Sequence, residues 1–91
     1  MVEKDVENEI IAWAEGLGGM AYKLVLRGRR GWPDLSLHLP GGVLIYVEVK
    51  RPRGGKIYAQ QSACLRELED LGFCCVLSRS LDEVRKCYAQ L

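Results

Sequence analysis

The 91-residue sequence has a single histidine and no Cys-X-X-Cys pair among its four cysteines. The usual Cys/His zinc sets are therefore excluded. Cys64 and Cys87 fall on predicted helices. Cys74 and Cys75 adjoin on a predicted strand and point to opposite faces, so all four read as reduced thiols acting as small hydrophobes. No apolar run approaches the roughly 20 residues of a membrane span. The first residues, MVEKDVENE, are acidic where a signal peptide would be basic and then apolar, which leaves the cytoplasm as the expected location. The glycine-rich stretches lack Walker A spacing, so a nucleotide P-loop is excluded. There are no repeats, linkers or low-complexity tracts. The length suits one domain over residues 1–91.

Acidic residues are scarce where basic ones gather. The net charge is +1, but residues 1–19 hold one Lys against five acids. Residues 20–60 reverse this, with eight basic groups against Asp34 and Glu48 alone. A polyanion is the natural partner for such a segment. Its basic groups concentrate in two irregular, glycine-containing loops. Arg27-Gly28-Arg29-Arg30-Gly31-Trp32 is the first, and Arg51-Pro52-Arg53-Gly54-Gly55-Lys56 the second. Arg27, Arg29, Arg30, Arg53 and Lys56 are the expected contacts to the polyanion's phosphates. Trp32 either stacks on a base or plugs the core.

The two isolated acids lie in the stretch around which the chain is organised, Pro33 to Lys50, which reads as a hairpin. Leu35, Leu37 and Leu39 alternate with Asp34, Ser36 and His38. Pro40-Gly41-Gly42 supplies the turn, and β-branched Val43 to Val49 the second strand. With a three-residue loop Leu39 pairs with Val43, and Asp34 then lies opposite Glu48, with Cβ atoms about 5 Å apart, whereas a two-residue loop or a bulge would offset the register by one. Lys50 shares that face, about 6–7 Å further along the strand. Like charges placed opposite each other destabilise a sheet, whereas two carboxylates are the hard oxygen ligands that Mg²⁺ takes alongside water and phosphate. Phosphodiester hydrolysis could use this trio, the acids holding the metal and Lys50 orienting or deprotonating water and stabilising the developing charge.

Around the hairpin, residues 5–16 carry Val6, Ile10, Trp13, Ala14 and Leu17 at helical spacing, with Asp5 as N-cap. Glu7 borders this stripe, where an early-helix Glu is ordinarily a solvated carboxylate favoured by the helix dipole. Met20 to Leu26 is a first strand. A helix over 57–71 puts Leu65, Leu68 and Leu71 inward and ends at Gly72. Phe73 to Leu77 is a fourth strand. Ser80 and Glu83 have capping-box spacing before a last helix with Leu81, Val84, Tyr88 and Leu91 on one face. The order is α-β-β-β-α-β-α, an α/β fold. Its four-stranded mixed sheet has helices on both faces, the fourth strand able to pair parallel to the first.

The sequence resembles the PD-(D/E)XK (restriction-endonuclease-like) nuclease superfamily, and more closely its VRR-NUC family. The matching pieces run over about residues 5–80: Glu7-Asn8-Glu9-Ile10, Arg30-Gly31-Trp32-Pro33-Asp34, Val47-Glu48-Val49-Lys50-Arg51-Pro52, Gly55-Lys56, Gln61, Leu68 and Gly72. The resemblance implies a restriction-endonuclease-like αβββαβ core with a C-terminal helix added. It implies a Mg²⁺- or Mn²⁺-dependent endonuclease in which Asp34, Glu48 and the carbonyl of Val49 bind metal. Lys50 would be the catalytic lysine, Glu7 would complete the acidic cluster, and Gln61, rather than its neighbour Gln60, would touch the site or the scissile phosphate. Many members carry Val or Ile where Trp32 precedes Pro33-Asp34, a departure that bears on packing or DNA contact and not on the metal set.

Compact members of this family resemble junction-resolving enzymes. The expectation is a homodimer that nicks branched DNA symmetrically, the four-way (Holliday) junction above all. The competing expectations are a nuclease acting on flaps or single strands, a catalytically silent DNA-binding module, and a regulatory protein whose charge cluster is structural.

Overall fold

A computed structural model describes residues 1–91. The elements are α1 (Glu3–Gly16), β1 (Met20–Lys23), β2 (Leu35–Leu39), β3 (Val43–Val49), α2 (Ala59–Asp70), β4 (Cys74–Ser78) and α3 (Leu81–Ala89). The chain is of the α/β class, with a mixed four-stranded sheet in the order β1-β2-β3-β4. β2 pairs antiparallel with both β1 and β3, and β3 pairs parallel with β4. The fourth strand therefore lies against β3 and not against β1, which is a correction to the sequence reading. β3 is the most apolar strand and needs a neighbour on each edge. The twelve-residue α2 returns the chain to the open edge of β3, leaving four-residue β1 as the outer strand.

The hairpin has the expected register, from Leu39 opposite Val43 to Leu35 opposite Val47. Alternation then divides the side chains. Leu35, Leu37, Leu39, Ile45, Val47 and Val49 form one face and pack with Val6, Ile10 and Ala14 of α1 and Val84 of α3 into the core. Val6 and Ile10 are fully buried, each stabilising the fold by about 1.5–3 kcal/mol. Trp13 stands edge-on to Tyr88 and joins α1 to α3, ring centroids 5.6 Å apart. The opposite face carries Ser36, His38, Tyr46 and Glu48. α2 covers only its β3–β4 side, burying Cys64, Leu65 and Leu68.

Several boundaries differ from the sequence reading for local reasons. α1 begins at Glu3, because Asp5 reaches back to accept the Val2 N–H (2.8 Å) from inside the first turn. β1 stops at Lys23, since β2 offers no ladder beyond the Leu24 N–H to Asp34 carbonyl bond (2.9 Å) and Pro33 has no N–H. α2 ends in a Schellman motif, Phe73 N–H to Leu68 C=O and Gly72 N–H to Glu69 C=O, with Gly72 at φ +98°. That termination leaves Leu71 exposed. Ser80 is the N-cap of α3 without a side-chain bond, and the Glu83 side chain accepts the Arg79 N–H. Leu17 and Leu91 lie beyond their helices and are exposed.

All four cysteines are free. Cys74 and Cys75 do face opposite ways, Cys74 meeting Cys87 of α3 at 2.8 Å between sulfurs. Burial, with the neighbouring thiol, pushes Cys74 up to about 12, and burial pushes Cys75 to about 11. No helix is long and apolar enough to cross a membrane.

Candidate functional site

The ladder that pairs Leu35 with Val47 carries Asp34 to the position opposite Glu48, at the end of the sheet away from the hairpin turn. Asp34 is pinned on both sides. Its carbonyl takes the Leu24 N–H, and its Oδ2 accepts the Val49 N–H at 2.8 Å. The adjacent Lys50 N–H is directed the other way, to the Ser78 carbonyl of β4 (2.8 Å). One end of β3 is thus tied both to the start of β2 and to β4.

Glu48 is only 2 % exposed. Its Oε2 accepts from Gln61 Nε2 at 2.6 Å and lies 3.3 Å from Lys50 Nζ. Lys50 Nζ also donates to Gln61 Oε1 at 3.0 Å, so one amide braces both the acid and the lysine. The same Oε1 accepts the Tyr58 N–H at the start of α2 (3.2 Å), which fixes the amide's orientation. Gln61 is therefore the residue that reaches the site. Gln60 offers its backbone to the first basic loop, where a Cβ on Gly31 (φ +85°) would collide with the Gln60 carbonyl.

The remaining Glu48 oxygen, Oε1, is buried and has no hydrogen-bond partner. Burial first, and then the negative charge of Asp34, push the Glu48 carboxyl from 4.5 up to about 7. Asp34 is raised as well, by burial, against the opposing effect of the Val49 N–H. An orphaned carboxylate oxygen beside a second carboxylate is a donor set that a hard divalent cation satisfies. The residues present fit such an ion.

Glu7 is buried on α1, but its Oε1 pairs with Lys23 Nζ at 3.1 Å. Its charge raises the Asp34 carboxyl. No three acidic, His or Cys side chains converge as a group that could hold one ion. α1 packs on the core face of the sheet whereas Glu48 points to the other, so the two acids approach the sheet end from opposite sides. At the level of sequence Lys23 contributes only basic charge, since nothing there ties it to Glu7.

Arg27, Arg29, Arg30, Arg53 and Lys56 are all exposed. Arg29 is ion-paired with Glu67 of α2, and Lys56 Nζ stands 6.0 Å from the Tyr58 ring centroid. The second loop is clamped by Arg79, whose Nη1 donates to the carbonyls of Arg51 (3.0 Å) and Gly54. Only the fold brings Arg79 to this loop, from 28 residues away in sequence.

A solved VRR-NUC domain superposes on this structure with a TM-score of 0.85, at 32 % identity over 96 % of this chain and 94 % of that one. The chain belongs to the VRR-NUC domain family. A second solved protein, described as a VRR-NUC domain protein, shares the fold at 15 % identity, with a TM-score of 0.75 over 99 % of this chain and 87 % of its own. A curated protein named "Putative nuclease p44", from Acyrthosiphon pisum secondary endosymbiont phage 1, is 44 % identical over 50 residues, 55 % of this chain and 54 % of its own. The chain thus spans about half the length of the curated relative it matches. No protein-family model matches the sequence. The VRR-NUC relationship concerns the whole αβββαβ arrangement and its final helix.

Proposed function

We propose that this VRR-NUC chain is a Mg²⁺- or Mn²⁺-dependent endonuclease that hydrolyses DNA phosphodiester bonds. The observation that carries this reading is the buried, unpartnered Glu48 Oε1 beside Asp34, with Lys50 braced against the same glutamate. A catalytically silent binding module would have no use for two acids in a basic surround.

Asp34, Glu48 and the carbonyl of Val49 are the residues that would hold the metal. When bound, the metal supplies Lewis-acid stabilisation of the phosphoryl oxygens and makes water more acidic. Glu7 adds negative field from the core side while Lys23 balances it. Lys50 Nζ orients the attacking water or helps remove its proton, and stabilises negative charge growing on the phosphoryl group. One P–O bond forms to that water as the bond to the leaving sugar oxygen breaks. Gln61 keeps Lys50 and Glu48 in register and presents an amide edge toward the scissile phosphate. The two basic loops carry the duplex, with Arg27, Arg30, Arg53 and Lys56 on phosphates. Arg29 joins them by exchanging Glu67 for a phosphate.

We further infer a homodimer acting on branched DNA, the four-way junction in particular. Specific DNA interfaces usually bury more than about 1,000 Å² of protein, and one copy of this site presents a small footprint. A two-fold pair doubles the footprint and sets two sites toward antiparallel strands. Leu71, Phe73 and Leu91 expose apolar surface at the end of the molecule away from the acids, where a second copy could pack. The test is incubation of the purified protein with linear, flapped, single-stranded and four-way DNA in Mg²⁺, Mn²⁺ or EDTA, alongside sedimentation. Metal-dependent paired nicks in junctions by a species of twice the chain mass are expected. A monomer trimming flaps or single-stranded ends ends the junction reading, and an absence of cutting in either metal ends the nuclease reading.

A further inference from the structure

α2 leaves half of one sheet face uncovered, and there a groove of about 260 Å³ opens. That is just under the range of about 300–1,000 Å³ typical of sites for drug-sized ligands, a size suited to a single planar group. One wall is Leu24 and Leu26, and the other is Trp32. Tyr46 forms the floor with Ser36 and His38, whose Oγ and Nε2 lie 3.4 Å apart. Trp32 stands edge-on to Tyr46, centroids 5.9 Å apart, and lies outside the buried core cluster. Half-buried, it also borders the small cavity beside Cys64 and Leu68 of α2.

Position and charge define the occupant. Tyr46 precedes Glu48 by two residues on the same face, about 7 Å along the strand. Leu24 is bonded through its N–H to the Asp34 carbonyl. The two walls are also the two ends of the first basic loop, which leaves at Leu26 and returns at Trp32, with Arg27, Arg29 and Arg30 between them. A flat, apolar group with polar edges, attached to a phosphate, matches all three features.

We propose that this groove takes one unstacked nucleobase, from a nucleotide beside the bond that Asp34 and Glu48 address. The base lies against Trp32 and the leucines with an edge toward Ser36 and His38, while its phosphate meets the basic loop. This rests on the nuclease reading and narrows its substrate to DNA that presents an unpaired or easily splayed base at the cleaved bond. Extrusion costs least where pairing is already broken, as at branch points and strand ends.

The test is a branched oligonucleotide series in which one abasic residue is walked through the positions around the cleaved bond. Binding is read by anisotropy in EDTA, and cleavage by kcat/KM in Mg²⁺. One abasic position should weaken wild-type binding about tenfold, as expected for a lost base–aromatic stack. Trp32→Ala should lose the same factor on intact DNA and nothing more on the abasic strand, and Trp32→Phe should recover most of it. Should Trp32→Ala fail to fold by circular dichroism, His38→Ala, at an exposed position, replaces it in the same comparison. Abasic sites without effect at every position, or losses that multiply between variant and abasic strand, would overturn the groove. Conversion of a dimer to a monomer by Trp32→Ala would overturn it too, since a second copy would then cover this face. Binding that depends on the base without any cleavage sinks only the nuclease reading.

Discussion

Replacing Glu48 by Gln takes a charge out of the least solvated part of the site while keeping its shape. In the metal-free protein the carboxyl is pushed from 4.5 to about 7. A carboxyl whose pKa is raised on folding holds its proton more tightly in the native state than in the unfolded chain. Stability therefore falls as pH rises from about 4.5 to about 7, and the whole penalty is present above that window. At 1.36 kcal/mol per unit the shift corresponds to about 3 kcal/mol, which screening by water around the open site reduces to about 1–2 kcal/mol. A Gln at this position mimics the protonated acid. Its carbonyl can accept from Gln61 Nε2 and Lys50 Nζ, and its amide gives Asp34 a donor where Oε1 now has no partner. Thermal unfolding in EDTA should show the variant melting about 5–10 °C above wild type at pH 8, at roughly 4–8 °C per kcal/mol for a domain of this size. At pH 4 the two should coincide, and taking the difference cancels the other carboxylates. Adding Mg²⁺ should raise the wild-type melting temperature and leave the variant unmoved, because a ligand stabilises only the state that binds it. A variant less stable than wild type at pH 8, or a difference independent of pH, would refute the account of a strained carboxylate awaiting a cation.

Asp34→Asn and Lys50→Ala should each abolish cleavage with the fold retained by circular dichroism, and Ca²⁺ should support DNA binding without cutting because of its looser coordination; undiminished cutting by either variant would contradict the assignment. Gln61→Ala leaves the buried Glu48 and Lys50 without their shared partner, and should cost about 1–3 kcal/mol in denaturant unfolding as well as lowering kcat. Neutralising Arg27 or Lys56 should weaken binding evenly across DNA sequences and shallow the salt slope by about one, measured by anisotropy from low to high salt. Gly31→Ala forces a Cβ into the Gln60 carbonyl at positive φ; a loss of about 1–3 kcal/mol in the same unfolding assay is expected, with DNA affinity falling as the first basic loop shifts.

Local pattern carried much of this protein. The alternation of Leu35, Leu37 and Leu39, the Pro40-Gly41-Gly42 turn and the β-branched run after it favour the register with Leu39 opposite Val43 that the structure has, because a one-residue slip would turn every core side chain outward. That register alone brings Asp34 opposite Glu48. The spacing of Val6, Ile10 and Ala14 likewise determined the buried face of α1. What the sequence could not determine lies where partners are distant or where a group's surroundings come from several elements. The fourth strand sits on β3, one of the two edges that the meander leaves open, a choice made by packing and not by the residues of β4. Lys23 on Glu7, Arg29 on Glu67 and Arg79 on the second loop are long-range pairings with no local signature. Above all, the motif names Glu48 as an acid, but only the fold, by burying it under Gln61 beside Asp34 with one oxygen unpartnered, pushes its carboxyl from 4.5 up to about 7.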